Sequence, residues 1–165
     1  MKTKKVAFIG VCIALAMVLS FVESQIPLLA TNTGFKIGFP NIVMMFLLYK
    51  FGWKETVIVS IVRVVLMFLL GFSNVIGLIL SLAGAALSLL GTILLKKANW
   101  FSCIAVSIVG GVLHNIGQII AICILQETPG LALELPFLMV SGTIAGAVIG
   151  LIAGLVVKRL EKWKF

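Results

Sequence analysis

The chain has 165 residues, of which 62% are apolar and only 11% charged, with a net charge of +8 and a mean hydropathy of +1.27. An ordinary globular chain is about half apolar and about a quarter charged, so there is too little polar surface here to cover a water-facing domain, and a lipid bilayer is the expected setting. All five acids are glutamates; this excludes an aspartate-rich Mg²⁺–diphosphate motif, a phosphorylatable aspartate and a Ser-His-Asp triad, and the lack of a G-x-x-x-x-G-K-[ST] run excludes a P-loop in this chain.

The first apolar run, Val6–Val22, follows Lys2, Lys4 and Lys5. That start imitates a signal peptide, but no small-x-small cleavage site follows Ser20 and five more apolar runs come after it, so a retained helix is expected. Gly10 and Ala14, flanked by Ala7, form a short small-residue seam that could face either the bundle or a partner subunit. The stretch from Glu23 to Lys36, with Pro27, Thr31, Asn32, Thr33 and Gly34, reads as a long loop and a natural lid.

The second run, Ile37–Phe51, is short, reaching about 22 Å. Pro40 in its first turn fits a helix start. It is read as a full crossing shielded by its neighbours, with a re-entrant segment as the alternative. The third run, Thr56–Phe72, carries Arg63 near its centre. Even lenient insertion scales charge roughly 2.5–3.5 kcal/mol for such a residue. Arginine does not shed its proton, so it needs a partner or an aqueous cavity. A clamp on helix carbonyls and contact with a ligand's anionic or carbonyl group both answer that need.

The last three runs, Val75–Leu95, Phe101–Leu125 and Leu135–Val157, are each long enough to cross a core of roughly 30 Å. The fourth places Gly77, Ser81 and Ala85 on one stripe. The fifth adds Gly110, Gly117 and Ala121, together with His114, Asn115 and Gln118. His114 and Gln118 share a helix face and Asn115 lies about 100° around from them. One histidine without other ligand-type side chains is a poor metal site, but buried amides each want several partners. A second loop, Gln126 to Glu134, holds Pro129 and Gly130. The sixth run carries Gly142, Gly146, Gly150 and Gly154 at a spacing of four, a groove for close helix approach. Cys12, Cys103 and Cys123 are scattered through apolar runs and read as small core residues, not as a disulfide or zinc framework.

With both termini on one side, that side holds Lys2, Lys4, Lys5, Lys50, Lys54, Lys96, Lys97, Lys158, Arg159, Lys162 and Lys164; the other holds Lys36 with Glu23, Glu127 and Glu134. Eleven basic residues against one place both termini in the cytoplasm, and Trp53, Trp100 and Trp163 fall at the same interface. The charge is therefore topological and no nucleic-acid partner is implied. The expectation is an all-α, single-domain bundle spanning residues 1–165, with six transmembrane helices. Its polar groups define an expected ligand site in the outer half, with Arg63 as floor, Asn41, His114, Asn115 and Gln118 as walls, and Lys36 in the lid. The expected ligand carries a negative or strongly polar group, and no metal or cofactor is called for.

The run Gly34-Phe35-Lys36-Ile37-Gly38-Phe39-Pro40-Asn41-Ile42-Val43 resembles the first-loop block of the Gx transporter family, also labelled heptaprenyl diphosphate synthase component I. The likeness continues through Gly52-Trp53-Lys54-Glu55, Arg63, Leu80-Ser81-Leu82-Ala83-Gly84 and His114-Asn115-Ile116-Gly117-Gln118. That family is similar in size and topology to the substrate-binding S components of energy-coupling factor transporters. The resemblance implies a bacterial cytoplasmic-membrane protein that is not an enzyme. It would capture a small molecule from outside and deliver it with a transmembrane coupling protein and two ATPases, docking through Gly10 and Ala14. The substrate does not carry over. The competing expectation takes the family label at face value: a non-catalytic membrane subunit associated with heptaprenyl diphosphate synthesis. A structural subunit of a redox complex fits less well, because His114 alone cannot provide two axial haem ligands.

Overall fold

The computed structural model describes residues 2–25, 38–127 and 129–160. They form six α-helices: α1 (Lys2–Gln25), α2 (Asn41–Lys50), α3 (Trp53–Leu69), α4 (Val75–Ala98), α5 (Cys103–Gln126) and α6 (Leu135–Arg159), with a 3-10 helix at Pro129–Glu134 leading into α6. No strand occurs among the described residues. The polar residues between apolar runs set the boundaries. Asn74 accepts a hydrogen bond from Gly77 N–H at 2.7 Å and Ser102 accepts one from Ala105 N–H at 3.2 Å, so each caps the first turn of its helix. Gly52, at φ +113°, makes the tight reversal between α2 and α3, a conformation that costs a residue without Cβ little.

Four helices, α1, α4, α5 and α6, are long and apolar enough to cross a membrane. The helix α2 differs from the expected crossing. It begins at Asn41 and its 10 residues rise about 15 Å, half the thickness of a hydrocarbon core. Gly38, at φ +97°, lies outside helical geometry, and Pro40, at φ −60° and ψ −18°, turns the chain into the helix that begins at Asn41. What α2 lacks in length it makes up in burial: every residue from Val43 to Leu48 is buried.

Three long-range contacts gather one end of the bundle. Lys5 Nζ meets Glu55 Oε1 at 2.5 Å, Lys50 Nζ donates to the Leu160 carbonyl at 2.6 Å, and Lys96 Nζ donates to the Leu48 carbonyl. The start of α1, the α2–α3 turn and the ends of α4 and α6 therefore share this terminal end. The lysine stems lie along apolar surface while their ammonium groups reach polar partners.

The helix α5 packs most extensively, between α4 and α6; α2 sits against α6 and α3, and α1 lies mainly along α3. The glycine groove of α6 meets α5 at Gly142, Gly146 and Gly150. A Cβ at Gly146 would stand 2.7 Å from Ile108 Cα, and one at Gly150 2.7 Å from Ile104 Cα. Gly154, the fourth in the series, has open space where its Cβ would be. On the other side of α5, Gly117 approaches the Ala83 carbonyl just as closely. Cys12 is buried, Cys103 and Cys123 are half-buried, and all three are free thiols.

Candidate functional site

Arg63 lies inside the bundle on α3, only 6% exposed. Its Nη1 donates to Ser20 Oγ on α1 at 2.8 Å, and Ser20 can accept because its own proton goes to the Ala16 carbonyl at 2.9 Å. The Arg63 Nε is buried and has no hydrogen-bond partner among the described residues. One turn beyond Ser20 stands Glu23, 7% exposed, whose Oε1 accepts from the backbone N–H groups of Gly38 and, at 3.2 Å, Phe39. Its carboxylate is near enough to act on the Arg63 charge.

This corrects the expectation that the loop opens at Glu23. The helix α1 runs on to Gln25, which carries Glu23 into the bundle. There two backbone donors offset part of the cost of removing its charge from water, and Arg63 is the cation nearby. Charge, counter-charge and the bend at Gly38 thus form one unit joining α1, α3 and the entry to α2.

The polar residues of α5 point in two directions. His114 Nε2 and Gln118 Nε2 are 2.9 Å apart, a pair at i and i+4, both buried. The ring lies against α4, where a Cβ at Gly84 would come within 2.9 Å of the His114 Nδ1, so glycine there makes its room. Asn115 turns instead to α6: its Nδ2 donates to the Leu138 carbonyl at 2.6 Å, and a Cβ at Gly142 would press on the same amide at 2.8 Å. Asn115 Oδ1 is buried with no hydrogen-bond partner among the described residues.

Asn41, the first residue of α2, borders a separate cavity. Because α2 rises only about 15 Å from the terminal end, this places Asn41 near mid-depth. Lys36 lies outside the described residues. Gly10 and Ala14 are exposed on the outer side of α1, with nothing within 4 Å of the place a Gly10 Cβ would take.

The structure thus brings together Arg63, Ser20 and Glu23 on one side of the bundle, and His114 with Gln118 between α4 and α5. Asn115 is directed to α6. Ser20 and Glu23 carried no signal as site residues, since a serine and a glutamate at the end of an apolar run look like its termination. Ser60, Ser88, Thr92 and Ser107 were equally silent, yet they border the cavity with Asn41. Their only trace in the sequence is spacing: Ser60 precedes Arg63 by about one turn, and Ser88 precedes Thr92 by four residues. Among the described residues no three His, Cys, Asp or Glu side chains converge as a metal site requires. The arrangement offers a guanidinium, amides, an imidazole and hydroxyls inside an apolar bundle, a set suited to recognition by hydrogen bonding.

Comparison with curated proteins and with solved structures finds no match to this chain. A family model described as heptaprenyl diphosphate synthase component I matches residues 12–156, a range that takes in most of α1, all of α2 to α5 and nearly all of α6. With the match covering that much of the sequence, the chain belongs to the heptaprenyl diphosphate synthase component I family.

Proposed function

We propose that this chain is the membrane-embedded binding subunit of a transporter of the energy-coupling factor type. In this reading its six helices lie in the bacterial cytoplasmic membrane, α2 reaching only part of the way across, with both termini inside. It takes a small anionic or polar molecule from the outer side and passes it on with a coupling protein and ATPase subunits. The observation that carries the reading is Arg63: a cation held inside an apolar bundle whose Nε is left without a hydrogen-bond acceptor among the described residues. A donor of that kind is costly unless a guest supplies the acceptor. The absence of a P-loop from the sequence supports dependence on separate ATPases, and the exposed Gly10–Ala14 face supports a partner on α1.

Native mass spectrometry of the purified chain, looking for a co-purifying small molecule, tests the reading, followed by affinity measurements on Arg63→Lys. Lysine keeps the charge that Glu23 faces but loses the planar fork of donors. A charged hydrogen bond is worth about 1.5–3 kcal/mol, so affinity should fall about 10- to 150-fold with the melting temperature little changed. Wild-type affinity in a folded Arg63→Lys protein would remove Arg63 from the site. Capture of a soluble prenyl synthase with no bound small molecule would favour the accessory-subunit reading. For orientation, an impermeant thiol reagent on intact cells should label a cysteine placed at Thr33 and spare one at Lys97; the opposite pattern would overturn it.

A further inference from the structure

Hydroxyl side chains in helices commonly return their proton to the carbonyl three or four residues back. Ser20, Thr56, Thr92, Ser141 and Thr143 all do so here. Ser60 on α3, Ser88 on α4 and Ser107 on α5 do not. They are 2%, 7% and 3% exposed, and their hydroxyls make no hydrogen bond to any described residue. All three border one cavity, and Asn41 at the start of α2 borders it too. The rest of the lining is apolar or glycine apart from Thr92, whose proton is already given to the Ser88 carbonyl.

The cavity leaves about 20 Å³ open to the centre of a water molecule, more than the roughly 10–15 Å³ that one water needs. Gly110 keeps it open, because a Cβ there would stand 2.6 Å from Thr92 Cγ2 and 3.3 Å from Ser88 Oγ. No charged residue borders it, so its guest is neutral. Three hydroxyls and an amide left dry in an apolar bundle would be unfavourable, whereas one water offers two donors and two acceptors to four such neighbours.

We infer that this cavity is a built hydration site: one buried water, held by Ser60, Ser88 and Ser107 with Asn41 as the fourth neighbour, joins α3, α4 and α5 to the start of the short helix α2. The site is independent of any ligand at Arg63. The first N–H groups of α2 are already met by the carbonyls of Gly38, Phe39 and Pro40, so the water serves side chains and ties the start of the short helix to its neighbours.

Water-edited solid-state NMR on the full chain in bilayers tests this without altering the protein. Polarisation from water should reach Ser60, Ser88 and Ser107 while Val59 and Val106, both 0% exposed, stay dark; serines as dark as those valines would overturn the site. Alanine at any one of the three serines should lower the melting temperature by about 2–4 °C. Paired substitutions should cost less than the sum, since the second removes a partner of a water already lost. A rise in melting temperature on Ser88→Ala would mean a dry hydroxyl had been relieved, and would also overturn it. Melting in sodium chloride and in choline chloride at equal concentration should agree. A sodium-dependent increase abolished by Ser88→Ala would identify a cation site and refute a neutral guest.

Discussion

Arg63 is compensated in two ways: a hydrogen bond to Ser20 and the nearby charge of Glu23, which itself holds the Gly38–Phe39 backbone. Such a unit behaves differently from isolated polar residues. Removing either charged group strands the buried partners it serves, typically at about 1–3 kcal/mol and more for charged groups. Arg63→Met and Glu23→Gln should therefore each lower stability by that order, and the double variant should lose clearly less than the sum. A thermal-unfolding double-mutant cycle in one detergent measures the difference; strict additivity would mean the two charges do not act on each other. The sequence makes Arg63 legible because it stands near the centre of an apolar run. Glu23 was not legible. With Ser24, Gln25 and Pro27 following it, it reads as the end of a span, and what keeps it in the bundle is contact with residues distant along the chain. The same holds for Ser60, Ser88 and Ser107: residue type marks them as polar, but the direction of a hydroxyl depends on the helices that surround it.

Among elements, spacing predicted close helix contact and packing decided which residues make it. Gly142, Gly146, Gly150 and Gly154 are equivalent by periodicity, and only the first three face α5. Gly146→Ala would drive a Cβ to 2.7 Å from Ile108 Cα and the Ser107 carbonyl oxygen. Backbone atoms cannot step aside as a side-chain tip can, so destabilisation of about 1–3 kcal/mol is expected, the usual range for overpacking. Gly154→Ala meets nothing within 4 Å and should be neutral, or stabilising by up to about 1 kcal/mol through helix propensity. Unfolding of the two variants in parallel checks this, and equal losses would contradict the packing. The helix α2 shows the limit of run-length reading. Its apolar stretch extends back to Ile37 in the sequence, but Gly38 lies at φ +97° and the helix begins only at Asn41. Apolar composition records what is buried, and backbone freedom decides where the helix starts.

At the scale of the whole molecule, two small-residue seams have opposite fates. The seam of α6 is filled by α5. The seam of α1 is not filled: that helix lies mainly along α3, and Val6, Gly10, Val11, Ala14, Leu15 and Val18 remain exposed. In a bilayer an apolar face needs no cover, but the absence of a Cβ at Gly10 beside the small Ala14 leaves a hollow into which another helix backbone can settle. If the proposed coupling protein docks there, Gly10→Leu and Ala14→Leu fill the hollow without meeting the chain's own core. The melting temperature of the isolated subunit and its retention of a small molecule should then be unchanged, while co-purification with co-expressed coupling and ATPase subunits is lost. Gly146→Ala makes the counter-test, because it strains the bundle itself and should lower the melting temperature. If Gly10→Leu assembles as well as the unmodified chain, the α1 face is a lipid face and the docking surface lies elsewhere on the bundle. If it lowers the melting temperature as Gly146→Ala does, the α1 seam belongs to the subunit's own packing and the proposed division between an inward and an outward seam is wrong.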